Sequence, residues 1–240
     1  MYFPVMGIRH PSGILERLGA RGRIGLAAAG LISLAILFLM LTAQVRNFHG
    51  IDEKILLLMR APGDPHDAVG GPRFEEFVRD ISALGSQGVL FLGVSAAGGF
   101  LILRRQYHAA VLLLAAAAGA YFLAAGLKGF FDRPRPSLVA PLSYHTGSRS
   151  FPSGHSVMAA AVYLSLGALL SRLVRPWGQK FYCIVLAALL AFLVGVSRVY
   201  LGMHHPTDVV AGWIIGTYWA GLCWETMTLM QRRGKVEPPR

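Results

Sequence analysis

Apolar residues in this chain come in long blocks separated by short polar stretches. Blocks lie at 24–43, then about 87–103, 109–127, 155–171, 181–197 and 209–230. Crossing a bilayer as a helix takes about 20 predominantly apolar residues, and a soluble core has no need for such runs in series. The pattern predicts an all-α, polytopic membrane helix bundle of six spans, forming a single domain over 1–240. Between the first two blocks, residues 44–85 are polar. Within them, 51–59 and 74–84 keep helical apolar spacing and predict short interfacial or lid-like helices. Ala61-Pro62-Gly63-Asp64-Pro65 and Gly70-Gly71-Pro72 punctuate this loop as turns.

Composition agrees with the block pattern. The hydrophobic fraction is 54% and mean hydropathy is +0.51, above the roughly 45–50% of soluble domains. The net charge of +11 raises the question of nucleic acid. The basic residues, however, fall in short clusters between apolar runs, with no basic helix or aromatic platform to track a phosphate backbone. Cys183 and Cys223 lie inside apolar runs and are expected as buried thiols without a disulfide framework. The first block is longer than a signal-peptide core of roughly 7–15 residues. Leu41 also stands where a cleavage site before Gln44 would want a small residue, so an uncleaved first span is expected.

Charge placement orients the spans. With the N-terminus inside, the inner segments carry Arg9, Arg17, Arg21, Arg23, Arg104, Arg105, Arg172, Arg175, Lys180, Arg232, Arg233, Lys235 and Arg240 against Glu16, Glu225 and Glu237. The outer segments carry nearly equal numbers of bases and acids. This asymmetry predicts both termini in the cytoplasm, with 1–23 cytoplasmic and 44–85 outside, in a protein of the cytoplasmic membrane.

Polar residues interrupt the bundle at four places. Lys128, Asp132, Arg133 and Arg135 close the third span; Pro152-Ser153-Gly154-His155 opens the fourth; Ser197 and Arg198 close the fifth; His204, His205 and Asp208 open the sixth. In an alternating bundle these ends share one membrane face, so residues spread over 128–208 are expected to converge. Any one base there could be an interfacial anchor whose long side chain reaches the headgroups. Several bases beside histidines, a carboxylate and a helix start instead describe an oxyanion site. Pro152 suits a first helical position, and the unpaired N–H groups of a helix start hold anions. A neutral His can attack phosphorus if a carboxylate fixes its other ring nitrogen. His204 and Asp208, four apart, share a helix face, but His205 reaches Asp208 at three-residue spacing. His155 is the candidate proton donor. Lys128, Arg135 and Arg198, with the Ser153 hydroxyl and Gly154 N–H, would balance the phosphoryl charge. Gly212, Gly216 and Ala220 recur every four residues and predict close packing of the last span on a neighbour.

The residues resemble the type 2 phosphatidic acid phosphatases, which share their site with vanadium haloperoxidases. Lys128 to Arg135-Pro136 matches the first motif, Pro152 to His155 the second, and Ser197-Arg198 with His204 and Asp208 the third. The resemblance implies a phosphatase that needs no metal or other cofactor and forms a phosphohistidine. In it His204 is the nucleophile, Asp208 orients it and His155 is the acid/base. Lys128, Arg135, Ser153, Gly154, His155 and Arg198 would hold the phosphate. It favours His204 over His205. Expected partners are the bilayer and a lipid phosphate such as undecaprenyl diphosphate, phosphatidylglycerophosphate or phosphatidic acid, met at the outer face. The rival readings are a phosphotransferase using the same intermediate, and a lipid or anion transporter that binds without reacting. The transporter expects internal repeats and a midplane site, neither of which the sequence displays.

Overall fold

The computed structural model describes residues 49–143 and 149–232. The first predicted span, 24–43, lies outside the described residues. Helix α1 (His49–Leu58) leads into an antiparallel hairpin, β1 (Arg60–Ala61) and β2 (Asp64–Ala68). Helices α2 (Gly71–Ala83), α3 (Gln87–Leu103), α4 (Tyr107–Phe130), α5 (Gly154–Leu173), α6 (Trp177–Tyr200) and α7 (Pro206–Arg232) follow. The expected turn at 61–65 is present, with Gly63 at φ 88°, but it joins two short strands. Apart from this two-stranded hairpin the described residues are all-helical, as expected. Pairing runs Arg60 to Ala68 and Ala61 to Asp64, with an irregularity between them.

Helices α4, α5 and α6 are long and apolar enough to cross a membrane, and the chain is an integral membrane protein. Helix α3, at 17 residues, spans only about 26 Å at 1.5 Å per residue, short of the roughly 30 Å hydrocarbon layer. It meets the requirement only together with α2, from which it is bent by 47°. The bend falls at Leu84-Gly85-Ser86, where the Ser86 hydroxyl caps α3 by accepting from the Val89 N–H at 3.3 Å. Helix α7 is long, but Thr, Trp, Tyr, Gly and Glu225 dilute its apolar residues, and it is not among the three. Among the described residues, then, three helices qualify as spans, or four with the bent pair.

Helix α5 is the centre of the bundle. Its apolar window is 61% buried, against 33% for α4 and 39% for α6. Its small residues Ser156, Ala159, Ala160 and Ala161 allow α6 and α7 to approach closely. The glycines of α7 make the same contact from the other side. A side chain at Gly212 would fall 2.7 Å from Ser156 Cβ, and one at Gly216 would fall 2.8 Å from Ala160 Cβ. The expected close packing of the last span is therefore real, and α5 is its partner. Large apolar side chains such as Phe91, Leu103, Phe122 and Phe181 point outward, as a lipid-facing surface requires. Cys183 and Cys223 are half-buried free thiols, not the fully buried ones expected.

Candidate active site

The site is built where four chain segments end. At the start of α5, Ser153 has extended backbone (φ −66°, ψ 109°) and is the cap, so the helix begins at Gly154. Pro152 thus precedes the cap and is not the first helical residue, as the sequence had indicated. The Ser153 carbonyl accepts from the Val157 N–H at 3.0 Å, while its own N–H donates to the Asp208 carbonyl at 3.1 Å. That second bond ties the start of α5 to the start of α7. The Ser153 side chain is fully buried and accepts from the Ser156 hydroxyl at 3.0 Å. Gly154, by contrast, is half-buried at the opening of the helix. Lys128, in the last turn of α4, comes against it: a Cβ on Gly154 would lie 3.8 Å from Lys128 Nζ.

At the start of α7, Pro206 takes the first helical position. Asp208, two residues on, reaches back to accept from the His205 N–H at 2.9 Å, as the acid of a capping box does. Its Oδ2 also accepts from the Ser150 hydroxyl. The same oxygen faces His205 Nδ1 at 3.3 Å and His204 Nδ1 at 3.7 Å. Ser150 Oγ is 3.5 Å from that His204 nitrogen. Distance to Asp208 therefore favours His205, but surroundings separate the two rings. His205 stands edge-on to His49, with centroids 6.4 Å apart. His204 lies among the charges of the site, within electrostatic reach of Arg135, Arg198 and His155. Burial lowers the His204 imidazole to about 4, with the Asp208 carboxylate pulling in the opposite direction.

The predicted residues come together. His155 feels Arg198, His204, Lys128 and Arg135. Arg198 is buried at the end of α6 and donates from one terminal nitrogen to Ser82 Oγ of α2 at 2.8 Å. Its Nε has no partner among the described residues, which leaves a buried donor for an anion. Arg135 donates to the Met203 carbonyl at 2.6 Å, bracing the turn that carries His204. Gly85, at the α2–α3 bend, passes so close that a Cβ there would lie 3.4 Å from the His155 ring. Only Asp132 of the named cluster stands apart: it is exposed and pairs with Arg149 at 2.9 Å. Three cations, two imidazoles and a helix start around one point can bind a phosphoryl group, supply a nucleophile and move a proton.

Sequence reasoning did not find the contribution of residues 49–85. Asp52 of α1 is fully buried and Arg133 bridges it to Asp208. Ser82 holds Arg198. Arg60 is buried, donating to the Tyr200 carbonyl at 2.9 Å and the Ala140 carbonyl at 3.3 Å, and so pins the turn after α6. An acid next to helical apolar residues, as Asp52 is, was the available signal, but it does not name a partner.

The family pattern of the PAP2 superfamily matches residues 109–232, over half of the chain. The chain belongs to the PAP2 superfamily. Among solved structures, the PAP2-type phosphatidylglycerolphosphate phosphatase of Bacillus subtilis, described as transmembrane, superposes with a TM-score of 0.69 at 31% identity, covering 82% of this chain and 97% of that one. Phosphatidylglycerophosphatase B of Bacillus subtilis is 45% identical over 91 residues, 38% of this chain and 44% of the relative. An undecaprenyl-diphosphatase of Sulfolobus acidocaldarius is 41% identical over 69 residues, 29% of each chain. These two alignments span less than half of the relatives' length. The matched PAP2 region holds all eight predicted site residues, from Lys128 to Asp208.

Proposed function

We propose that this PAP2 protein is a lipid phosphatase that hydrolyses a lipid phosphate or diphosphate monoester without a metal, through a phosphohistidine on His204. The observation that carries the reading is the position of His204. One ring nitrogen faces the Asp208 carboxylate, and the ring stands among Arg135, Arg198 and His155. A neutral imidazole so placed has an acceptor for the charge it develops and cations for the phosphoryl oxygens. The 3.7 Å separation from Asp208 is of the kind that tightens when substrate binds.

In the first step the His204 lone pair forms the N–P bond as the P–O bond to the lipid breaks. Protonated His155 gives its proton to the leaving oxygen. Asp208 accepts the hydrogen bond of the imidazole that becomes cationic. In the second step neutral His155 takes a proton from water as that water attacks phosphorus, and phosphate leaves with His204 restored. Lys128, Arg135, Arg198 and the Gly154 N–H hold the oxygens throughout, with the Ser153 hydroxyl behind them.

The relatives' names point to substrates with an anionic headgroup on an apolar anchor, and we place phosphatidylglycerophosphate and undecaprenyl diphosphate first. Both termini would be cytoplasmic, and the site would meet lipid headgroups at the outer face, because the basic excess lies in the opposite segments. Helix α1 and the charged N-terminal part of α2 would rest at that interface. Purified protein is expected to release phosphate from at least one such lipid; H204A should abolish release, whereas H205A should retain it. Vanadate should inhibit and a chelator should not. Undiminished release by H204A overturns the assignment of the nucleophile. Transfer to a second lipid without free phosphate identifies a phosphotransferase.

A further inference from the structure

Both terminal nitrogens of Arg133 are engaged beside the site, although its buried Nε has no partner among the described residues, and the reaction scheme does not use it. One terminal nitrogen donates to Asp208 Oδ1 at 2.5 Å and to Thr207 Oγ1 at 2.8 Å. The other donates to Asp52 Oδ2 at 2.7 Å. Asp52 in turn accepts from the Thr207 hydroxyl at 2.7 Å and the Thr207 N–H at 3.0 Å, so it also satisfies an open donor at the start of α7. Both carboxylates are fully buried. Asp52 belongs to α1, which lies more than seventy residues before any of these partners.

We propose that Asp52, Arg133 and Thr207 are positioning residues that hold Asp208 by one oxygen so that the other stays turned to His204. The proposal rests on the phosphatase reading above. Two observations carry it. The oxygens of Asp208 are divided: Oδ1 goes to Arg133, while Oδ2 takes Ser150, the His205 N–H and the two imidazoles. The charges also bear on it, since two carboxylates around one guanidinium leave a formal net charge of minus one beside His204. Arg133 alone would cancel Asp208, and the imidazolium formed during the reaction would lose its counter-charge. Asp52 restores that charge from outside the matched family region.

The other groups facing His204 are Arg198 from α6, Arg135 from the segment between α4 and α5, and His155 from α5. They supply positive charge, so removing Asp52 leaves His204 with a cationic surround and a neutralised Asp208.

The test is phosphate release by full-length D52N, R133Q and T207V. D52N is expected to lower kcat by roughly 10- to 100-fold, the range seen where a partner acts through another residue, with KM little changed. The acid limb of kcat/KM moves down in D52N, which loses a negative charge, and up in R133Q, which loses a positive one. A purely structural role would not shift the two limbs in opposite directions. T207V keeps the side-chain shape, alters no charge and is expected to lower kcat several-fold without moving the limb. Should D52N fail to elute as a monodisperse protein, T207V carries the test. Parental kcat in T207V, or parental kcat and limb in a folded D52N, overturns the proposal. A parent protein that releases phosphate from no lipid removes the phosphatase reading itself, and this proposal with it.

Discussion

Arg133 and Arg135 stand two residues apart on the segment between α4 and α5, yet they serve opposite sides of His204. On the Arg133 side, Asp52, Thr207 and Asp208 enclose the guanidinium in charge-assisted bonds of 2.5–2.8 Å. On the Arg135 side the charged neighbours include Lys128 and Arg198, so cations gather there, with Asp208 acting on them from a distance. A buried ion group whose members are hydrogen-bonded to one another fixes geometry. Like charges gathered in a half-buried site disfavour one another until an anion arrives. The difference separates an arginine held between two carboxylates from the one proposed to bind phosphate, something residue type alone cannot distinguish.

Three measurements break or sharpen that contrast. The largest effect is expected on the cationic side: R198A or R135A lowers kcat by about 10²–10³-fold, as loss of one transition-state donor does, with phosphate release as the readout. An R133Q loss equal to or greater than this would erase the distinction between the two sides. Next comes pH. In the proposed mechanism attack needs neutral His204, and burial holds that group at about 4 in place of 6.5. The acid limb of kcat/KM, which reports the free enzyme, should therefore lie near pH 4, and activity should persist at pH 5.5, where an exposed imidazole would be mostly protonated. The same lowered value removes stability as pH falls from 6.5 toward 4, because the unfolded chain binds the proton first. A limb near 6.5 would show that Asp208 offsets burial in full. The smallest effect concerns the scaffold that brings both sides together. G216A crowds Ala160 and is expected to cost about 1–3 kcal/mol as overpacking, lowering the thermal midpoint in detergent. G93A, which meets nothing within 4 Å, should leave the midpoint unchanged.

How much of this was legible beforehand depends on range. The spans at 109–127, 155–171 and 181–197 coincide with α4, α5 and α6 because hydrophobic run length is a local property. The run at 87–103 was read as a full span, but its helix needs α2 to reach membrane thickness. That partnership depends on a bend at Gly85, which the apolar pattern does not encode. The cluster of Lys128, Arg135, His155, Arg198, His204 and Asp208 could be placed at one end of the bundle by alternation alone. The separate fates of Asp132 and Arg133, neighbours in sequence, could not: one is exposed with Arg149 and the other is enclosed by two carboxylates.

The sequence by itself determined the membrane class, the helix-start chemistry of Pro152–His155 and the end of the bundle where charge collects. Each follows from composition and spacing within a few turns. Tertiary structure alone decided that Asp52 of α1 neutralises Arg133 and that Ser82 of α2 holds Arg198. It also decided that His204, although farther from Asp208 than His205 is, lies within electrostatic reach of Arg135 and Arg198. Those choices depend on where chain segments far apart in sequence are packed, and on which buried charges must find a partner once water is excluded.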